Sequence, residues 1–312
     1  MQLHDPYEYI LRELSDINDA DSDDLLRDSL LKSQEFVVQL RRAYRKSPSN
    51  IDFSNDELRA AYLLAYYPVH IEILYEILGA LPMDKRDLLF NNQKNRACFI
   101  GAGPAPEVIG WISFLKDNYP DTDCTMAYIF DKYIDQWHKG LEITRYHLAP
   151  EYWVGKLITS YYKFDLLAQS TDWNARIDRA INLSNFFYMQ NCVNDLLGDE
   201  EQLFHNIIEL FRRTRPGSIL IISDLIFPKI MGFLSRLVDE IQDENIGSCL
   251  CNHCNDRLAF TPNIIVPEII ETELRTGESN LIPRSSTRFC YVALERIADN
   301  FETDEEYEDL PF

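Results

Sequence analysis

Through residues 1–96, apolar positions recur at three- and four-residue spacing, the period of a helix that buries one face. The segments "PYEYILREL", "SLLKSQEFVVQLRRAYRK" and "FSNDELRAAYLLAYYPVHIEILYEILGAL" carry this pattern. In the last of them Ser54 or Asn55 suits the N-cap, with Glu57 near the first turn. Pro68 should kink or divide the segment, because proline lacks an amide donor and crowds the preceding turn. Gly79 and Pro82 should close it. No strand-like alternation precedes about residue 97, so the spacing predicts an all-helical N-terminal region.

At residue 97 the pattern changes. Short apolar runs, "RACFIG" and "CTMAYIFD", are each followed by a helical period, "PEVIGWISFLKDNY" and "YIDQWHKGLEITRYHL". "VGKLITSYYKFDLL" reads as a third strand and a turn carrying Asp165, and "RIDRAINLSNFFYMQN" contains a fourth strand. The amphipathic "DEEQLFHNIIELFRRT" leads through "RPG" into "SILIISDL", a fifth strand rich in β-branched residues, and then into the helix "KIMGFLSRLVDEI". Strands alternating with helices predict a mostly parallel sheet covered on both faces. The end of the chain differs. "AFTPNIIVPEII" and "RFCYVALERI" read as two strands with only the loop "TGESNLIPRSS" between them, an antiparallel pair at the sheet edge.

Composition narrows the function. The chain has 312 residues, 46% of them hydrophobic, enough for one large domain with an appendage. Fifty-one acids against 30 Lys plus Arg leave a net charge of -21, which repels phosphate backbones and weighs against a nucleic-acid acceptor without excluding one. Nine acids fall in the first thirty residues and seven between Ile297 and Phe312, so both ends read as solvated segments. "MQLHDPYEYI" has neither a basic start nor an apolar run, and no stretch of about 18 apolar residues exists. With an odd count of seven cysteines, this predicts reduced thiols in a cytoplasmic protein with no membrane partner. "GSCLCNHC" offers Cys249, Cys251, His253 and Cys254, which are zinc-type donors. Their spacing does not match a closed zinc site, and the expectation is an exposed loop of free thiols with no metal.

The chemistry centres on "FIGAGPAPE". A strand running into Gly101 and Gly103 and then a helix gathers backbone N–H groups at a helix N-terminus. A P-loop would need Gly-Lys-Ser/Thr where Pro-Glu-Val stands. A dinucleotide fingerprint would need glycine at Pro106, and Glu107 would repel a pyrophosphate. S-adenosylmethionine has no phosphate and carries two cationic centres, so an acidic turn suits it. Its ribose diol needs an acceptor at the end of the second strand, where Asp131 follows "YIF".

These residues and their order resemble the class I S-adenosylmethionine-dependent methyltransferases. "FIGAGPAPE" is similar to their first motif, "YIFD" to the second, and Asp165 in "YYKFDLL" to the acid that holds the adenine amino group. "INLSNFFYMQN" resembles the fourth strand and the loop facing the methyl acceptor, and "LFRRTRPGSILIISD" the helix, turn and fifth strand. The first strand lacks the family's frequent acid before the turn, and the third glycine is absent. The resemblance implies a Rossmann-like, mostly parallel seven-stranded sheet with an antiparallel terminal strand at 97–297. The helical region at 1–96 would precede it and an acidic tail at 298–312 would follow. It also implies S-adenosylmethionine as cofactor, with Gly101, Gly103, Glu107, Asp131, Asp165 and Asn185 as its contacts. Candidates for a catalytic group facing the acceptor are Asn185, Tyr188, Gln190, Asn191 and Asp224. Structural roles are open for each: a turn for Asn191, core packing for Phe186, Phe187 and Tyr188, a helix cap for Asp224. The expected activity is methyl transfer to a protein or small molecule rather than RNA. A non-catalytic binding or assembly protein on the same fold is the alternative, and a nicotinamide-dependent oxidoreductase ranks third.

Overall fold

The computed structural model describes residues 6–17, 23–91, 95–274 and 286–298. All but Ala298 of the acidic tail and all but Ser286 of the "TGESNLIPRSS" loop lie outside the described residues. No helix among the described residues is long and apolar enough to cross a membrane.

Five helices precede the sheet: Pro6–Ile17, Asp23–Ala43, Asp56–Ala65, Tyr67–Ala80 and Met83–Phe90. Asn55 is the cap of the third, its Oδ1 accepting the Leu58 N–H at 2.9 Å. The predicted break falls at Tyr66, and Pro68 sits in the first turn of the next helix, where a missing N–H costs nothing. Tyr67–Ala80 is apolar on most of its circumference, with Tyr67 through Leu74 all buried. It lies against Pro106–Asn118, whose residues 106–115 are likewise buried. Helical region and sheet share one continuous core running from Tyr7 to Leu294.

The strands are β1 Asn95–Ile100, β2 Cys124–Asp131, β3 Lys156–Lys163, β4 Phe186–Gln190, β5 Ile219–Leu225, β6 Gly247–Asn252, β7 Leu258–Phe260 and β8 Thr287–Arg296. Their order is β3-β2-β1-β4-β5-β8-β6, with β7 also paired to β8. β1 to β5 pair in parallel, whereas β8 runs antiparallel to β5, β6 and β7. β4 and β5 are buried at every residue, which is why they read as unbroken apolar runs. β3 is the exposed edge and carries a lysine at each end, a common guard against edge pairing.

The expected fold class stands: a Rossmann-like α/β sheet, mostly parallel, preceded by helices and closed by a reversed strand. Three details change. The sheet has eight strands, not seven. The extra one is the cysteine segment, expected as an exposed loop; β6 spans Gly247–Asn252 and pairs with β8 through a bulge between Cys249 and Cys251. The reversed strand β8 lies inside the sheet rather than at its edge, and β6 and β7 occupy successive stretches of its outer side. Of "AFTPNIIVPEII" only Ala259 and Phe260 are strand, the end of β7, and Glu268–Glu273 is a short helix. Pro262 and Pro267 cannot donate to a ladder, which limits the strand to three residues.

The two buried helices cross at Gly110. A Cβ added there would stand 2.2 Å from the Ile71 carbonyl oxygen. Mid-helix Gly→Ala ordinarily stabilises by about 1 kcal/mol. Here Gly110→Ala is expected to reverse that sign and destabilise by about 1–3 kcal/mol, as overpacking does. The urea midpoint of the variant against the parent protein measures it.

Candidate functional site

From β1 the chain moves outward to β2 and β3, then returns to β4 on the other side of β1. This is a topological switch point, where strand ends diverge and leave a crevice at their carboxyl side. The residues that follow β1, β2, β3 and β4 all meet there, around a cavity of about 300 Å³.

The turn after β1 forms the floor. Gly101 (φ +66°) donates its N–H to the Phe130 carbonyl at 2.8 Å, and an added Cβ would stand 2.7 Å from that of Cys192. Gly103 (φ +55°) donates to Asp131 Oδ2 at 2.9 Å, and a Cβ there would press to 3.1 Å on the Trp137 indole. Both positions need glycine for dihedral and for space. Ala105 is also left-handed, at φ +57°, and caps the helix that Pro106 opens. The prolines in place of a third glycine have a packing role. Pro104 lies where a side chain on Gly140 would fall, and its carbonyl accepts the Thr144 hydroxyl at 2.6 Å.

Asp131 ends β2 on the cavity wall. Its two oxygens accept from the Gly103 N–H and, at 2.7 Å, from the Tyr133 N–H. Burial outweighs these donors and raises its pKa to about 6. Asp165, beyond β3, also lines the cavity; it accepts the Leu167 N–H at 3.0 Å and pairs with Lys132 Nζ at 2.9 Å. Asn191 (φ +54°) lines it at the end of β4, with its amide 3.2 Å from His70 Nε2. Gln190 lines it too, and donates to the His70 carbonyl at 3.2 Å.

Four other expected residues sit elsewhere. Asn185, expected as a cofactor contact, precedes β4, at the opposite end of the strand from the cavity; it donates to the Leu89 carbonyl at 3.0 Å and is absent from the cavity lining. Tyr188 is buried in mid-strand, donating to Gln190 Oε1 at 2.7 Å, with Ser223 Oγ at 2.8 Å. Asp224 is fully buried and caps the turn after β4, accepting the Asn194 N–H at 3.0 Å and the Leu225 N–H at 2.6 Å. Burial raises its pKa to about 7. Glu107 lies behind the turn rather than on the cavity wall, 2% exposed, with Oε1 lacking a hydrogen-bond partner among the described residues. Burial, with repulsion from Asp131, raises its pKa to about 8.

The sequence reading missed Asp195. It lines the cavity from the short helix Val193–Leu196, and its Oδ1 accepts the Ser49 hydroxyl. Burial raises its pKa to about 7, with repulsion from Asp224 and Asp131 adding to the effect. An acid four residues beyond Asn191, in the loop expected to face an acceptor, was the available signal. The helical N-terminal region supplies Tyr44, Asn50, Ile51, Phe53 and Tyr62 to the wall. All seven cysteines are free thiols, and among the described residues no group of three His, Cys, Asp or Glu side chains is set to hold a metal.

Similar solved structures include a Listeria monocytogenes protein assigned to the class I S-adenosylmethionine-dependent methyltransferases, at TM-score 0.46 and 13% identity over 96% of this chain and 91% of that one. An O-methyltransferase family protein from Burkholderia thailandensis gives TM-score 0.46 and 9% identity over 86% and 72% of the two chains. A Streptococcus mutans protein named as a methyltransferase, in complex with S-adenosylhomocysteine, gives 0.38 and 11% over 73% and 97%. No protein-family model and no curated protein matches the chain.

Glu107, Asp131, Asp195 and Asp224 all have pKa values raised by burial, to about 8, 6, 7 and 7. The folded protein therefore binds more protons than the unfolded chain between about pH 4 and 8. The stability these groups contribute is complete below the ordinary carboxylate range and is lost as pH rises through 6–8. The ligand-free melting temperature is expected to fall from pH 5.5 to pH 8. In Glu107→Gln the fall should be smaller, as measured by thermal denaturation of both proteins across that range.

Proposed function

We propose that the chain is an S-adenosylmethionine-dependent methyltransferase whose cofactor lies along the switch-point crevice. The observation that carries this reading is Asp131, a carboxylate at the end of β2 whose orientation is locked by two backbone N–H groups. Each of its oxygens has a further lone pair, so ribose hydroxyls can be accepted without breaking either bond. The glycine turn fits the same group. Side chains at 101 and 103 would close the floor against Cys192 and Trp137, and no lysine or arginine stands in the turn to meet a phosphate.

Gly101 and Gly103 would lie under the amino-acid and sulfonium part, Asp131 at the ribose and Asp165 near the adenine. When bound, the cofactor supplies an electrophilic methyl group on a sulfonium. The protein's contribution is position and exclusion of water: rigid strand ends on one side, and the aromatic cover of Phe53, Tyr62 and Trp137 on the other. Cofactor binding without transfer is a second reading, and one observation favours it. Tyr188 and Asp224, two of the expected catalytic groups, are consumed by internal hydrogen bonds. Formation of a methylated product in a screen of acceptors decides between the two.

Titration calorimetry of the full chain tests the cofactor reading. S-Adenosylmethionine and S-adenosylhomocysteine should bind, and reduced or oxidised nicotinamide dinucleotide should not. Asp131→Ala is expected to weaken S-adenosylhomocysteine by about tenfold or more, the loss of hydrogen bonds to a charged acceptor. Unchanged affinity in that variant would remove the ribose assignment.

A further inference from the structure

The cavity lining has two stretches of different character. One holds the glycine turn, Asp131 and the Asp165–Lys132 pair. The other is formed by Phe53, Tyr62 and Trp137, whose ring centroids stand 5.4–5.5 Å apart, and by Tyr44 and Asp195; Trp137 joins the two, lying against Gly103. Charge in this second stretch is one-sided. Among the described residues lining the cavity Lys132 is the one cation, and Asp165 engages it at 2.9 Å. Asp131 is held by backbone donors in the first stretch. Among the described residues Asp195 has only the neutral Ser49 hydroxyl as its side-chain partner, and the charges that act on it, Asp224 and Asp131, are both negative. Its own charge reaches the hydroxyls of Tyr44 and Tyr62, whose pKa values it helps to raise.

A carboxylate beside aromatic faces, with no cation among the described lining residues left to balance it, is the chemistry that recognises an organic ammonium ion. Acceptors bearing carboxylate or phosphate would meet repulsion from Asp195. The surrounding surface, at net charge -21, also draws cations towards the cavity. We propose that the methyl acceptor is an amine, bound as its ammonium form between the aromatic wall and the Asp195 carboxylate. This rests on the cofactor reading above. Before reaction one proton passes from the ammonium nitrogen to Asp195, leaving a neutral amine with its lone pair and a protonated carboxyl. A carboxyl that titrates near neutrality, as burial makes this one, is suited to take that proton.

The test uses the full chain, titrated first with S-adenosylhomocysteine and then, when saturated, with three probes of matched shape. These are 2-phenylethylammonium, neutral 2-phenylethanol and anionic phenylacetate. The ammonium is expected to bind about tenfold or more tightly than the alcohol, and phenylacetate most weakly. Asp195→Asn should abolish the preference for the ammonium while leaving S-adenosylhomocysteine affinity unchanged. Should that variant fail to give a cooperative melt, Phe53→Leu removes one aromatic face from the partly buried rim. It should weaken the ammonium more than the alcohol. Failure of the ammonium to bind the saturated protein overturns the proposal, as does equal or tighter binding of the alcohol or phenylacetate. So does an unchanged preference in Asp195→Asn. In each of those cases S-adenosylhomocysteine binding stands and the acceptor assignment alone falls. If S-adenosylhomocysteine itself does not bind, the cofactor reading falls, and this inference with it.

Discussion

The crossing of two buried helices at Gly110 governs how the helical region meets the sheet. Without a side chain there, the Ile71 carbonyl approaches the Pro106–Asn118 helix at a distance no Cβ would permit. That approach fixes the adjacent His70. Its carbonyl accepts from Gln190 at 3.2 Å, and its ring stands between the Tyr62 hydroxyl at 3.0 Å and the Asn191 amide at 3.2 Å. One backbone contact thus sets a chain of polar contacts reaching from the helical layer to the end of β4. The stretch of cavity lining that carries Tyr62 inherits its shape from this crossing. The interior is close-packed, so a displacement of one helix is passed on rather than absorbed.

Around the glycine turn the chain buries more negative charge than it neutralises. Among the described residues Asp131 and Asp224 are each served by backbone N–H donors, Asp195 by one hydroxyl, and one oxygen of Glu107 by nothing. Buried carboxyls so placed resist ionisation, and each makes ionisation of the next less favourable. A cationic ligand relieves that repulsion, so ligand binding and fold stability are linked through the same four groups.

The parallel sheet was legible because strands covered on both faces need apolar residues throughout, as in "FFYM" and "ILII". The switch-point turn and Asp131 were legible because glycine dihedrals and a strand-terminal acid leave marks in the sequence. β6 was not. "GSCLCN" has no strong strand preference, and its pairing is dictated by the ten-residue β8 beside it. Asn185 and Asn191 looked alike as asparagines flanking one apolar run. Only the strand direction separates them, since five residues of β4 carry the chain from one side of the sheet to the other. Tyr188 and Asp224 were read by type and position. Their hydrogen-bond partners, Ser223 and the Asn194 N–H, come from other segments and leave no local trace. Asp195 escaped notice for the same reason: its place on the wall comes from a four-residue helix that no periodicity announces.

The interior position of β8 has a consequence for the order in which the sheet can be completed. β5 can join β4 as soon as residue 225 is available, because that ladder needs only earlier strands. Among the described residues β6 and β7 have β8 as their sole ladder partner, and β8 comes from residues 287–296. During vectorial synthesis the cysteine-bearing segment therefore waits about forty residues for the strand that secures it, with Cys249 and Cys251 unprotected by any ladder and the outer edge of β5 open. The last described strand acts as a bolt: its arrival closes the β5 edge and gives β6 and β7 their place in a single step.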